Sequence, residues 1–164
     1  MSYLIKPIVI VLLAVLCMTL IRGYSSYMKK RMLESRELLH LLEATRKSMS
    51  TRLSTPKKAF SSVSVSSPAV EEFRVRVASG DRLSEAFAKA ERGLSVSPEC
   101  RRMLSEYFDG FGSGYLEDEI RCADEFLARY LAEIEREEVA GANDLWVVKS
   151  MAIAITLGII ILII

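Results

Sequence analysis

The sequence predicts an all-α protein in which two terminal transmembrane helices flank a small antiparallel helical bundle. Three observations carry this. Two long apolar stretches lie at the ends of a chain of 164 residues. Between them apolar residues recur at steps of three and four, the period of a helix with one buried face. Proline after serine or threonine, and glycine at the far end, punctuate that pattern as helix starts and stops do.

The first stretch, within 4–22, has almost nothing polar except Lys6, Cys17 and Thr19. The last, 145–164, has Lys149, Ser150 and Thr156 as its polar side chains. At about 1.5 Å per residue each is long enough to cross a hydrocarbon core of about 30 Å. They explain how a chain with 26% charged residues has a positive mean hydropathy. No small-x-small cleavage site follows the first stretch, so it reads as a retained anchor, not a signal peptide. Arg22, Lys29, Lys30, Arg31 and Arg36 follow it, which predicts a cytoplasmic location for the middle of the chain, 23–143. Arg22, Trp146 and Lys149 are the expected membrane-anchoring residues: Trp146 at interface level, Lys149 snorkelling to the headgroups.

The net charge of +1 conceals an asymmetry. Residues 22–58 hold ten Lys/Arg against three Asp/Glu, and 59–144 hold ten against eighteen. The basic part suits anionic lipid headgroups, while the acidic part projects away. A membrane-proximal basic segment without a reading module argues against nucleic acid as a partner.

After the first span no proline or glycine intervenes between Tyr24 and Pro56, so the helix is expected to continue, with Leu38, Leu42, Met49 and Leu53 as its stripe and Leu41 beside it. Thr55-Pro56, Ser67-Pro68 and Ser97-Pro98 are three helix starts. Ser61 to Ser67, low in complexity, is the expected flexible joint. Val70, Phe73 and Val77 mark a short helix stopped by Gly80, with Asp81 capping the next. Leu83, Ala86, Phe87 and Ala90 follow at i, i+3, i+4 and i+7, and Met103, Leu104, Tyr107, Phe108 and Phe111 form another face. The longest stripe runs from Tyr115 to Val139 through Leu116, Ile120, Ala123, Leu127, Leu131 and Ile134, thickened by Phe126 and Tyr130. The glycine-spaced Gly110 to Gly114 is read as a wide turn reversing two helices. It lacks the Lys-Ser/Thr of a phosphate loop and follows a helix, not a strand.

No catalytic constellation emerges. His40, the only histidine, has no patterned acid or cysteine beside it and reads as a core-edge or surface residue. Cys17, Cys100 and Cys122 are widely spaced, which supports neither a disulfide framework nor a zinc site. Clustered acids (Glu117, Asp118, Glu119; Glu135, Glu137, Glu138) are placed on solvent faces. The expectation is a non-enzyme without cofactor or metal that acts by contact. Arg101, Arg102 and Glu106, before the glycine turn, are the proposed partner-binding residues.

Several segments resemble a known family. Val77 to Phe87, reading Val-Ala-Ser-Gly-Asp-Arg-Leu-Ser-Glu-Ala-Phe, is similar to a pattern of the F-type inner-membrane platform proteins of type II secretion and type IV pilus systems. The overall layout resembles the stage III sporulation protein AB family. The shared features are the leucine-rich helix Leu38 to Met49, Pro56-Lys57-Lys58-Ala59-Phe60, Phe111-Gly112 ahead of Asp118, and the ending from Leu145-Trp146 to Ile164. The resemblance implies an F-domain-like fold and a place in the mother-cell membrane, in a secretion-like complex required for endospore formation. It further implies a secretion-type ATPase, stage III sporulation protein AA, as cytosolic partner, with other membrane subunits and self-association. A membrane-anchored scaffold or sensor for a regulatory protein, or a small two-span pore subunit, are the alternative readings.

Overall fold

A computed structural model describes residues 2–51, 56–112 and 114–163. Helix α1 spans Ser2–Ser50, α2 Pro56–Ser62, α3 Pro68–Ser79, α4 Leu83–Ala90, α5 Pro98–Gly110 and α6 Leu116–Ile163, with a single 3-10 turn at Glu91–Gly93. No strand occurs among the described residues, as the sequence predicts. Helix α1 runs through Gly23 without interruption, and α6 joins the amphipathic stretch to the terminal apolar one as a single helix. The chain divides into two compact units, 30–136 and the terminal arms 1–29 with 137–164.

The first unit is a helical domain with one core. Helix α1 contributes Leu38, Leu41 and Leu42; α2 and α3 contribute Phe60, Val70, Phe73 and Val77; α4 and α5 contribute Leu83, Ala86, Phe87, Cys100, Leu104 and Phe108. From α6 come Phe126, Tyr130 and Ile134. Phe73 is the hub: its ring centroid lies 5.6 Å from Phe60, 6.0 Å from Phe87 and 5.3 Å from Phe108. Edge-on and tilted contacts of this kind add about 0.5–1.5 kcal/mol per pair beyond burial.

Local signals set the helix ends. Ser97 caps α5, its Oγ accepting from Cys100 N at 3.0 Å. Gly80 takes φ 113°, a left-handed conformation that costs a side chain dearly. It closes α3 with a paired motif in which Gly80 N donates to Val77 O and Asp81 N to Arg76 O. Asp81 does not cap α4: Arg82 occupies that position without a side-chain bond, and Asp81 reaches Lys89 at 3.0 Å instead. Thr55 and Leu53 lie outside the described residues.

Two further expectations are corrected. The serine run is no flexible joint. Glu37 accepts from Ser66 N and Ser67 N at 2.6 and 3.0 Å, and the fully buried Glu34 accepts from Ser67 Oγ at 2.9 Å and from Ser95 N. Three donors at the end of the run find acceptors on α1, so the run is strapped to it. In α6 the buried stripe is Ala123, Phe126, Tyr130 and Ile134; Leu116 and Leu131 are each 42% exposed. Phe126 and Tyr130 are therefore its centre, and the face is rotated from the one the aliphatic spacing suggests.

In the second unit Ile8, Leu12, Leu16 and Leu20 on one arm and Trp146, Ile153, Leu157 and Ile161 on the other are exposed. The arms meet at Cys17 Sγ, 3.6 Å from Thr156 Oγ1, whose hydroxyl also bonds Ala152 O at 2.7 Å. At Gly141, which is buried, an added Cβ would collide with the Met28 methyl, so glycine permits that close approach.

Candidate functional site: an acid-rimmed aromatic groove

On α5, Met103 and Tyr107 fall one turn apart, followed by Gly110 and Phe111. On α6, Asp118, Cys122, Glu125 and Arg129 recur at i, i+4, i+7 and i+11, a polar stripe beside the buried row Phe126 and Tyr130. The glycine turn brings these two faces together. Between them lies a groove of about 330 Å³, walled by these side chains with Glu106 and Glu119.

The turn's geometry comes from one carboxylate. Glu119 Oε1 accepts from Gly112 N at 3.0 Å and from Gly114 N at 2.9 Å. Gly112 sits at φ 88°, and a Cβ at Gly114 would come into contact with the same Oε1 at 3.4 Å. Glu119, half-buried in its acidic cluster, is thus also the brace of the turn. With Glu117 and Asp118 it also places negative charge in the first turn of α6, where the helix dipole favours it. The Gly112 and Gly114 amides, which might have cradled a phosphate, are already occupied.

The groove's aromatic lining, Tyr107, Phe111 and Phe126, continues into the core through the fully buried Tyr130. Tyr107 stacks on Phe126 with centroids 4.2 Å apart, Phe126 on Tyr130 at 5.5 Å, and Tyr107 touches Phe111 at 5.8 Å. Burial raises the Tyr107 phenol well above its ordinary value, with the negative charge of Glu119 and then Cys122 adding to the shift. The phenol stays neutral at physiological pH. Cys122 is exposed, whereas Cys100 is buried on the core face of α5.

The three sequence-proposed contact residues separate. Glu106 is exposed on the groove's edge and pairs with Arg102 at 3.0 Å. Arg102 also bonds Glu99, a hydrogen bond that holds the Glu99 carboxyl below its usual range. Arg101 faces elsewhere: it donates to Leu94 O at 3.1 Å and approaches Glu91 at 3.6 Å, bracing the loop before α5. Arg22, Trp146 and Lys149 are all exposed on the terminal arms, and His40 is exposed on α1. Among the described residues no group of three or more His, Cys, Asp or Glu is placed to hold a metal ion.

The groove's other members escaped the sequence reading, which took Tyr107, Phe111 and Phe126 as core. The signal was there: acids and a cysteine at helical spacing one step off an aromatic row. It becomes a site only when α5 is folded against it.

Two terminal helices are long and apolar enough to cross a membrane, and their apolar windows are unburied by the fold. Together with the helical domain and its open groove, they define a helical membrane protein. The chain matches the family described as stage III sporulation protein AB over residues 6–164, and it belongs to that family. No curated protein and no solved structure matches it.

Proposed function

We propose that this chain is a non-enzymatic, two-pass membrane subunit of a secretion-like sporulation complex, coupling a cytosolic secretion-type ATPase to the membrane. Family membership supports the sporulation role. The terminal arms hold the protein in the mother-cell membrane, and Arg22, Lys29 and Lys30 at the end of the first span favour a cytoplasmic domain. The observation that carries the docking role is the groove of α5, the glycine turn and α6: the half-buried rings of Tyr107 and Phe111 beneath a charged rim suit an anchor side chain from another protein. The resemblance of Val77 to Phe87 to the F-type platform proteins suggests that such docking passes a conformational push into the spans. Further membrane subunits and a second copy of this chain would complete the assembly.

Two measurements test this. The full chain, co-expressed with stage III sporulation protein AA and extracted in mild detergent, should retain that ATPase through size-exclusion chromatography; consistent separation of the two counts against the coupling role. Cys122, exposed on the domain, should react with a membrane-impermeant maleimide only after cells are opened. Labelling of intact cells would reverse the topology.

A further inference from the structure

We infer that the groove takes an arginine-bearing segment of a partner protein, the guanidinium lying on the aromatic floor with a neighbouring aliphatic side chain beside it. This rests on the reading of the domain as a docking unit and specifies the chemistry of what docks.

Charge is the first argument. Glu106, Asp118, Glu119 and Glu125 line the groove against Arg129 alone, so its field is negative. Two of these acids have exchangeable partners on their own helices, Glu106 with Arg102 and Asp118 with Arg121, each at 3.0 Å and each solvent-exposed. Such pairs contribute little, so an incoming cation displaces them at small cost. Glu125 enters no ion pair among the described residues. Glu119 also holds the Gly112 and Gly114 amides, so those two donors are not offered to an anion.

The floor supplies the second argument. Tyr107 and Phe111 present half-buried rings, backed by the buried Phe126, and a planar guanidinium stacks on a ring while its fork reaches a carboxylate. A compact ammonium does the second and not the first as well. The volume, about 330 Å³, is at the small end of ligand sites and exceeds one guanidinium. Met103 and the Cys122 side chain leave apolar room for an adjacent leucine or methionine.

The test uses the full chain in detergent micelles and a fluorescein-labelled peptide of alternating leucine and arginine, read by anisotropy. The arginine peptide should bind, its lysine counterpart at least about threefold more weakly, and its glutamate counterpart not at all. Charge reversal at the exposed rim, Glu106→Lys with Glu125→Lys, should weaken binding at least about tenfold, as close interfacial charge pairs do. Cys122→Trp, which fills the groove from an exposed position, should abolish binding. Glu85→Lys on α4, outside the groove, should change nothing. Equal affinity for the double variant and the native chain, or for all three peptides, overturns the inference. If the double variant loses the peptide yet retains the ATPase, the groove stands and the ATPase docks elsewhere. If it keeps both, the groove is wrong and the docking role survives.

Discussion

Helices α1 and α6 each pass through two environments, and the contrast between their halves is instructive. In the domain α1 buries Leu38, Leu41, Leu42 and Met49 on one side, with His40 and Lys47 outward. In the arm the same helix turns Ile8, Val9, Val11, Leu12, Val15 and Leu16 outward, a broad apolar face that the fold leaves exposed. Helix α6 repeats this: one buried row at Ala123, Phe126, Tyr130 and Ile134, then exposed Trp146, Val147, Met151, Ile153 and Ile155. An amphipathic helix is ordered by packing against its neighbours, while an all-apolar one is ordered by lipid. A single backbone element therefore owes its stability to two different solvents, and its residues answer differently to the same substitution.

The largest test of that contrast is Phe73→Ala. Removing the hub of the phenylalanine cluster should destabilise the domain by about 3–5 kcal/mol, measured by denaturant titration of the full chain in micelles with near-ultraviolet circular dichroism. Leu12→Ala in the arm, with no protein packed on it, should leave that transition in place. Comparable losses would erase the distinction. Next comes Glu34→Ala, which strands Ser67 Oγ and Ser95 N and should cost about 2–4 kcal/mol, since buried donors left unpaired are expensive. A smaller cost would mean water replaces the carboxylate.

Glycines sharpen the comparison at a lower level. Gly23→Ala meets open space and should raise helix stability by up to about 1 kcal/mol. Gly141→Ala should gain less, because the Met28 methyl has to swing aside; equal gains in thermal melts would deny the close approach of the arms there. Titration should move the domain alone. Arg74 and Arg46 hold Glu71 and Asp124 below their ordinary values by hydrogen bonds, so near pH 4 the unfolded chain binds more protons. The stability these pairs provide is complete above that range and lost as pH falls through it, by an amount kept small by solvent. Tyr107 works in the other direction. Its raised phenol keeps its proton after the unfolded one ionises, so stability declines above about pH 10, and Tyr107→Phe should flatten that decline. An unchanged alkaline limb would place the phenol in water.

Whatever depends on local periodicity was legible in the sequence. Val70, Phe73 and Val77, the set Leu83, Ala86, Phe87 and Ala90, the Ser97-Pro98 start and both apolar arms are each read from a dozen or so residues. What depends on distant partners was not. Glu34 lies in phase with Leu38, Leu42 and Met49, yet its charge argues for the surface until Ser67 and Ser95, 33 and 61 residues away, are seen to meet it. The serine run looked compliant for the same reason. Leu116 and Leu131 joined the α6 stripe on hydrophobicity alone, whereas the rings of Phe126 and Tyr130, stacked with Tyr107, decide which face turns inward. Of the candidate site, Glu106 was found by sequence and the aromatic floor was not, because a groove belongs to no single helix.

The carboxylates of Glu34 and Glu37 have a mechanical meaning. They fasten α1 to the head of α3 through Ser66 and Ser67, and Glu34 also fastens it to Ser95 just ahead of α5. A tug along α1 is delivered to both helix heads through short, stiff links instead of being absorbed by slack chain. The domain is geared to its first helix.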